Sequence, residues 1–190
     1  NTNIKRWKSS SMWYIWKMGE YKIMIKVLYE DNHLLVVEKP VNILSQGDNT
    51  SDDDMVNLLK KYLKEKYNKP GNVFVGLVHR LDRPVGGCMV FAKTSKAASR
   101  LSEQVRNKSF KKTYRAVIHG KMNKQEDNLM DYLYKNKKTN MVSVVSKNTK
   151  DAKDARLSYE TLDFKKNFSL VQIDLQTGRP HQIRVQFASR

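Results

Sequence analysis

Short apolar runs separated by turn-forming clusters divide the chain into strands, with two stretches of helical spacing set among them. Apolar-rich runs at 25–29 and 34–38 flank Glu30-Asp31-Asn32 and predict a hairpin. Lys39-Pro40 closes its second strand, since proline cannot donate to a continuing ladder. Residues 51–54 offer a serine cap and acidic first-turn signals for a helix whose apolar face is Met55, Leu58, Leu59 and Tyr62. Lys60, Lys61, Lys64 and Lys66 fall mostly off that stripe and read as a solvated face, with phosphate contact the lesser alternative. Pro70-Gly71 ends the segment, and runs at 73–78 and 88–91 predict two strands joined by a polar loop containing Pro84, Gly86 and Gly87. Ser95 caps a second predicted helix that turns Ala97, Ala98, Leu101 and Val105 inward.

A strand with a basic entrance follows at 111–120. Residues 121–157 are polar and lysine-rich, with apolar islands at 129–133 and 142–145, and predict a surface excursion of short strands. Strands resume at 157–162 and 169–175, and in the second Val171, Ile173 and Leu175 alternate with Leu170, Gln172 and Asp174, as in a sheet with one buried face. Residues 175–185 read as strand, glycine turn and helix with Pro180 in its first turn. Ahead of all this, residues 1–23 show no clear period, Met24 precedes the first convincing strand, and Gly19-Glu20 fits the purine-rich codons of a bacterial ribosome-binding site. Residues 1–23 therefore read as a translated leader, and 24–190 as one domain.

Charge narrows the function. Lysine and arginine number 36 against 19 acidic residues, and the net charge of +17 is spread along the whole chain. Such an excess points to a polyanionic partner, nucleic acid first and an anionic membrane second. With 39% hydrophobic and 9% aromatic residues the chain is no disordered basic tail, so the charge sits on a folded body. Cys88 is the single cysteine, which excludes an internal disulfide and a thiolate zinc site and points to a reducing cytoplasm. The apolar run at 12–16 is too short to span a bilayer and no small-residue cleavage site follows it, so neither a membrane span nor an export signal is predicted.

The candidate chemistry lies in the loop between the strands at 73–78 and 88–91. Asp82 is displayed there between Arg80 and Arg83, whose guanidinium groups would keep a carboxylate ionised and attract an anionic substrate. On composition alone this is an arginine-paired aspartate in a hairpin turn. The string His79-Arg80-Leu81-Asp82, followed by Gly86-Gly87 and an apolar strand ending in Ala92-Lys93-Thr94, resembles the active-site signature of RluA-type pseudouridine synthases. Residues 28–40 resemble the first hairpin of that family, Lys111-Lys112-Thr113-Tyr114 with its strand the second motif, and Thr177-Gly178-Arg179-Pro180-His181-Gln182-Ile183-Arg184 the third. One departure stands at Val85-Gly86-Gly87, where many relatives carry a hydroxyl residue before the second glycine. The tetrapeptide also has a look of the protein-kinase catalytic loop, but no Gly-x-Gly-x-x-Gly loop and no metal-binding asparagine accompany it.

The resemblance implies an α+β fold with a mixed, largely antiparallel central sheet, flanking helices and a cleft across its middle. It implies isomerisation of a uridine in structured RNA, ribosomal or transfer, with no metal, redox cofactor or nucleotide. Asp82 is then the catalytic carboxylate, acting near C1′ either by attack or by assisting loss of the 2′ proton through a glycal. Tyr114 faces the uracil, Arg184 is the cationic partner of Asp82, and Arg80 fills the space left by the flipped nucleotide. Lys112 and Arg179 are phosphate contacts, and His79 and His181 are structural supports. The expected protein is a cytoplasmic monomer without an upstream S4 module, cut short relative to the family at its C-terminal end. The alternative is an inactive or truncated relative that binds RNA without turnover.

Overall fold

The computed structural model describes residues 12–18, 21–48 and 52–190. The chain divides into two compact units, one ending at Asn107 and the other spanning Lys108–Arg190, each built on an antiparallel five-stranded sheet. The α+β, largely antiparallel architecture is as expected, with the strands distributed over two sheets. Among the described residues the one parallel pairing is an isolated bridge between Leu44 and Asp54.

In the first unit the sheet order is β1 (Met12–Met18), β2 (Tyr21–Glu30), β3 (Leu34–Lys39), β5 (Gly87–Ala92) and β4 (Gly76–Leu77). The β2–β3 hairpin forms where the apolar pattern put it. Its turn is held by Asp31, whose Oδ1 accepts the amides of His33 and Leu34 at 2.7 and 2.6 Å. Of the segment read as a leader, 12–18 form β1 and 21–23 open β2, a pairing that the aperiodic sequence did not predict, while 1–11 and 19–20 lie outside the described residues. Helix α1 (Met55–Lys66) buries Met55, Leu58, Leu59, Tyr62 and Leu63. Its cap is Asp54, which accepts the amide of Asn57 at 3.1 Å, so the acidic cluster precedes the first turn and does not occupy it; Ser51 lies outside the described residues.

The strand expected at 73–78 shrinks to Gly76–Leu77. Val73 and Val75 are buried as their apolar character demands, but outside the ladder. Gly76 is needed for close packing, because a Cβ there would stand 2.9 Å from the Ala98 side chain on α2 (Ser95–Arg106) and 3.2 Å from that of Ala92. Thr94, not Ser95, caps α2, accepting the amide of Ala97 at 3.2 Å.

A charged hub ties the unit together. Glu30, at the end of β2, accepts Lys66 and Lys93 at 2.8 and 2.7 Å and the hydroxyls of Tyr62 and Tyr67 at 2.5 and 2.6 Å. Burial by itself raises the Glu30 pKa, but the Lys66, Lys93, Tyr62 and Tyr67 donors outweigh it and hold the carboxyl at about 2, from an ordinary 4.5. Its stabilisation is therefore complete above pH 4.5 and is lost as the pH falls toward 2. Glu30→Gln is expected to cost on the order of 2 kcal/mol near neutral pH. In urea melts the gap from the native chain should narrow below pH 4.5; a gap independent of pH would contradict the assignment.

In the second unit the order is β6 (Thr113–His119), β10 (Phe168–Leu175), β9 (Lys153–Lys165), β7 (Glu126–Lys135) and β8 (Val142–Val145). The alternation in β10 is realised, with Val171 and Ile173 fully buried. The stretch expected as a surface excursion is instead partly core. Strand β7 is ten residues long, pairs with both β8 and β9, and buries Leu129 and Leu133. Glu126, Asn128 and Met130 are exposed on its other face and Asp131 shares the face of the leucines, so the run looks superficial. Helix α3 (Gln182–Ala188) lays Phe187 on the sheet, its ring edge-on to Tyr159 at 5.4 Å. Pro180 precedes this helix and does not sit in its first turn; His181 is the N-cap, at φ 53°.

Candidate active site

Asp82 lies in the β4–β5 loop, and segment 39–45 holds that loop from below. The buried Ser45 hydroxyl donates to the Leu81 carbonyl at 2.6 Å and accepts the Leu81 amide at 3.1 Å, locking the residue before Asp82 through both backbone groups. The Arg83 carbonyl, on the other side, accepts the Asn42 amide at 2.8 Å and the Lys39 ammonium at 3.2 Å. The amide of Val85 donates to the Asp82 carbonyl at 3.0 Å and closes the turn. Gly86 permits the approach, since a Cβ there would come within 3.3 Å of the Val41 side chain and 3.4 Å of the Lys39 carbonyl.

Lys39 is the residue that sequence reasoning missed. It is completely buried at the end of β3, and its ammonium also donates to the Pro40 carbonyl at 2.9 Å. Burial pulls its pKa down, while the Asp82 carboxylate pushes it back up. A buried ammonium beside the loop thus supplies positive potential to Asp82 from within the fold. Lys39-Pro40 read only as a strand end; the signal was a lysine that continues the buried alternation of Leu35 and Val37. Arg83, expected to flank Asp82 electrostatically, points its guanidinium at Asp52, 2.8 Å away. Arg80 is exposed. The Nε2 of His79 accepts the Val90 amide at 3.1 Å, which leaves the ring proton on Nδ1.

In the second unit Tyr114 stands on β6 opposite Ile173 and packs half-buried against the core of Leu129, Leu157, Tyr159, Val171, Ile173 and Phe187. Ile183, next to Arg184, packs against that same core, so β6 and α3 present the second and third motifs around one cluster. Arg184 is exposed, whereas Gln182 and Gln186, one turn apart, are buried. Gln182 accepts the Thr177 hydroxyl at 2.8 Å and the Arg179 amide at 3.0 Å, and donates to the Arg156 carbonyl at 3.1 Å. Gln186 donates to Asp131 at 2.7 Å. This amide ladder fixes α3 and the turn before it, and it was legible only as two glutamines at i and i+4.

Arg179, expected as a phosphate contact, is held by Asp154, at 2.8 Å to its carbonyl and 3.0 Å to its carboxylate. Lys112 sits at the entrance of β6, half-buried, and burial lowers its pKa. Its ammonium lies 3.5 Å from the place a Gly178 side chain would begin, which puts it beside the third-motif turn. His181 carries no side-chain cap bond, and its carbonyl accepts the Val185 amide at 3.0 Å, consistent with scaffold. Among the described residues no cluster of His, Cys, Asp and Glu is arranged to hold a metal, and no helix is long and apolar enough to cross a membrane.

Residues 33–189 match the family model described as RNA pseudouridylate synthase. The chain is 34% identical over 170 residues to the ribosomal large subunit pseudouridine synthase C of Buchnera aphidicola (86% of this chain, 50% of the relative). It is 32% identical over 169 residues to the ribosomal large subunit pseudouridine synthase D of Zymomonas mobilis (88% and 53%). The chain thus spans about half the length of the curated relatives it matches. Among solved structures, human RNA pseudouridylate synthase domain containing 4 superposes with a TM-score of 0.71 at 23% identity, covering 86% of this chain and 63% of that one, which shows the shared fold.

Proposed function

The chain belongs to the RNA pseudouridylate synthase family, and from that premise we propose that it converts a uridine in folded RNA to pseudouridine, with Asp82 as the reacting carboxylate. The reaction breaks the C1′–N1 bond and forms C1′–C5; the proton on C5 is lost to water and N1 gains one, so the change is an isomerisation. A carboxylate near C1′ can add to the sugar or stabilise the positive charge that grows there. We assign Tyr114 and Arg184 the parts that the resemblance of their motifs implies, a ring for the uracil and a cation for the reacting carboxylate. The names of the curated relatives refer to the large ribosomal subunit, which supports ribosomal RNA as the substrate.

One observation carries the reading: Asp82 is held through backbone bonds on both sides, with a buried ammonium beside it. Such pre-organisation suits a group that must be charged and still when the substrate arrives. Bulk ribosomal RNA incubated with the chain, then digested to nucleosides, should gain pseudouridine at the expense of uridine. RNA that is bound but left unconverted would overturn the proposal.

A further inference from the structure

Three lysines of the first unit take no part in the machinery above. Lys60, Lys61 and Lys64 are exposed on the C-terminal half of α1 and, with Gly71, Asn72 and Val73, line a concavity of about 340 Å³. Spaced three and four residues apart, Lys64 and its two partners repel one another along the helix surface. Lys66 and Lys93 share the carboxylate of Glu30, but among the described residues no carboxylate forms an ion pair with Lys60, Lys61 or Lys64. The chain turns back beside them because the amides of Asn68 and Lys69 donate to the Glu65 and Lys64 carbonyls at 3.2 and 3.0 Å. Gly71 follows at φ +78°, and nothing lies within 4 Å of the place its side chain would occupy, so the rim stays open. By contrast, a concavity of about 400 Å³ in the second unit is lined by Glu126, Asp127, Glu160 and Asp174, and it would repel a polyanion.

We propose that the lysine-lined concavity is a second RNA-contact surface, which takes phosphate groups of the substrate backbone through residues outside the catalytic loop. The proposal rests on the reading of the chain as an RNA isomerase and adds where the folded substrate is gripped. Contacts of this kind set affinity and its salt dependence and leave the chemical step alone.

The test compares two charge-matched variants, Lys60→Gln/Lys61→Gln/Lys64→Gln and Lys137→Gln/Lys138→Gln/Lys147→Gln; the second changes exposed lysines of the other unit. Glutamine keeps helix propensity close to that of lysine, and equal melting curves confirm the fold. With a labelled stem-loop RNA, the first variant should bind about tenfold more weakly at low salt. The slope of log affinity against log salt should fall by about 2 for up to three lost contacts. Its single-turnover rate on saturating ribosomal RNA should match that of the native chain. Equal weakening in both variants, or none in the first, overturns the proposal. Unchanged RNA affinity with lost binding to phosphatidylserine vesicles would reassign the surface to membranes. Native chain that fails to bind RNA at all would bring down the isomerase reading, and this surface with it.

Discussion

Lys39→Met is expected to lower stability by on the order of 2 kcal/mol and to slow isomerisation at least about tenfold. Methionine fills nearly the same space, so the loss comes from polarity and not from a cavity. The carbonyls of Pro40 and Arg83 would each lose a charged donor, and Arg83 follows Asp82 directly. Removing the ammonium also removes the positive potential that the carboxylate shares with it. Lower stability with an unchanged single-turnover rate would show that Lys39 braces the loop without serving Asp82. Urea melts and single-turnover rates separate the two effects.

Asp82→Asn should do the reverse, abolishing turnover while sparing the fold. The bonds that pin the loop run through backbone atoms of Leu81, Asp82 and Arg83, and asparagine preserves every one of them. What disappears is the charge. Loss of an essential reacting group costs on the order of a thousandfold or more, whereas one charge on a protein of net +17 is a small part of its attraction for RNA. Turnover should therefore fall by more than about a thousandfold with RNA affinity held within about threefold. A parallel collapse of affinity and melting temperature would mean that the side chain is structural.

The sequence disclosed most where local physics decides. The β2–β3 hairpin, the buried stripe of α1 and the alternation of β10 each follow from a period that only one element satisfies. Where tertiary contacts decide, it disclosed less. Strand β7 sets two leucines four residues apart among charged and polar residues, and nothing local told that Leu129 joins the core of Leu157, Ile173 and Phe187. Gly76 interrupts a run of valines for the sake of a helix that begins nineteen residues later at Ser95. Within the site, the loop that displays Asp82 was readable from its motif. Lys39, Ser45 and the glutamines of α3 were not, because each acts through backbone groups far away in sequence. The ion pairs of Arg179 with Asp154 and of Arg83 with Asp52 were not announced by the motifs either.

RNA labelled with tritium at uracil C5 tests the central claim most directly, because C5 must give up its hydrogen when it becomes the glycosidic carbon. The native chain should release label to water in step with pseudouridine formed, and Asp82→Asn should release none above background. Release by the variant at a rate near that of the native chain would contradict the claim that residue 82 does the chemistry.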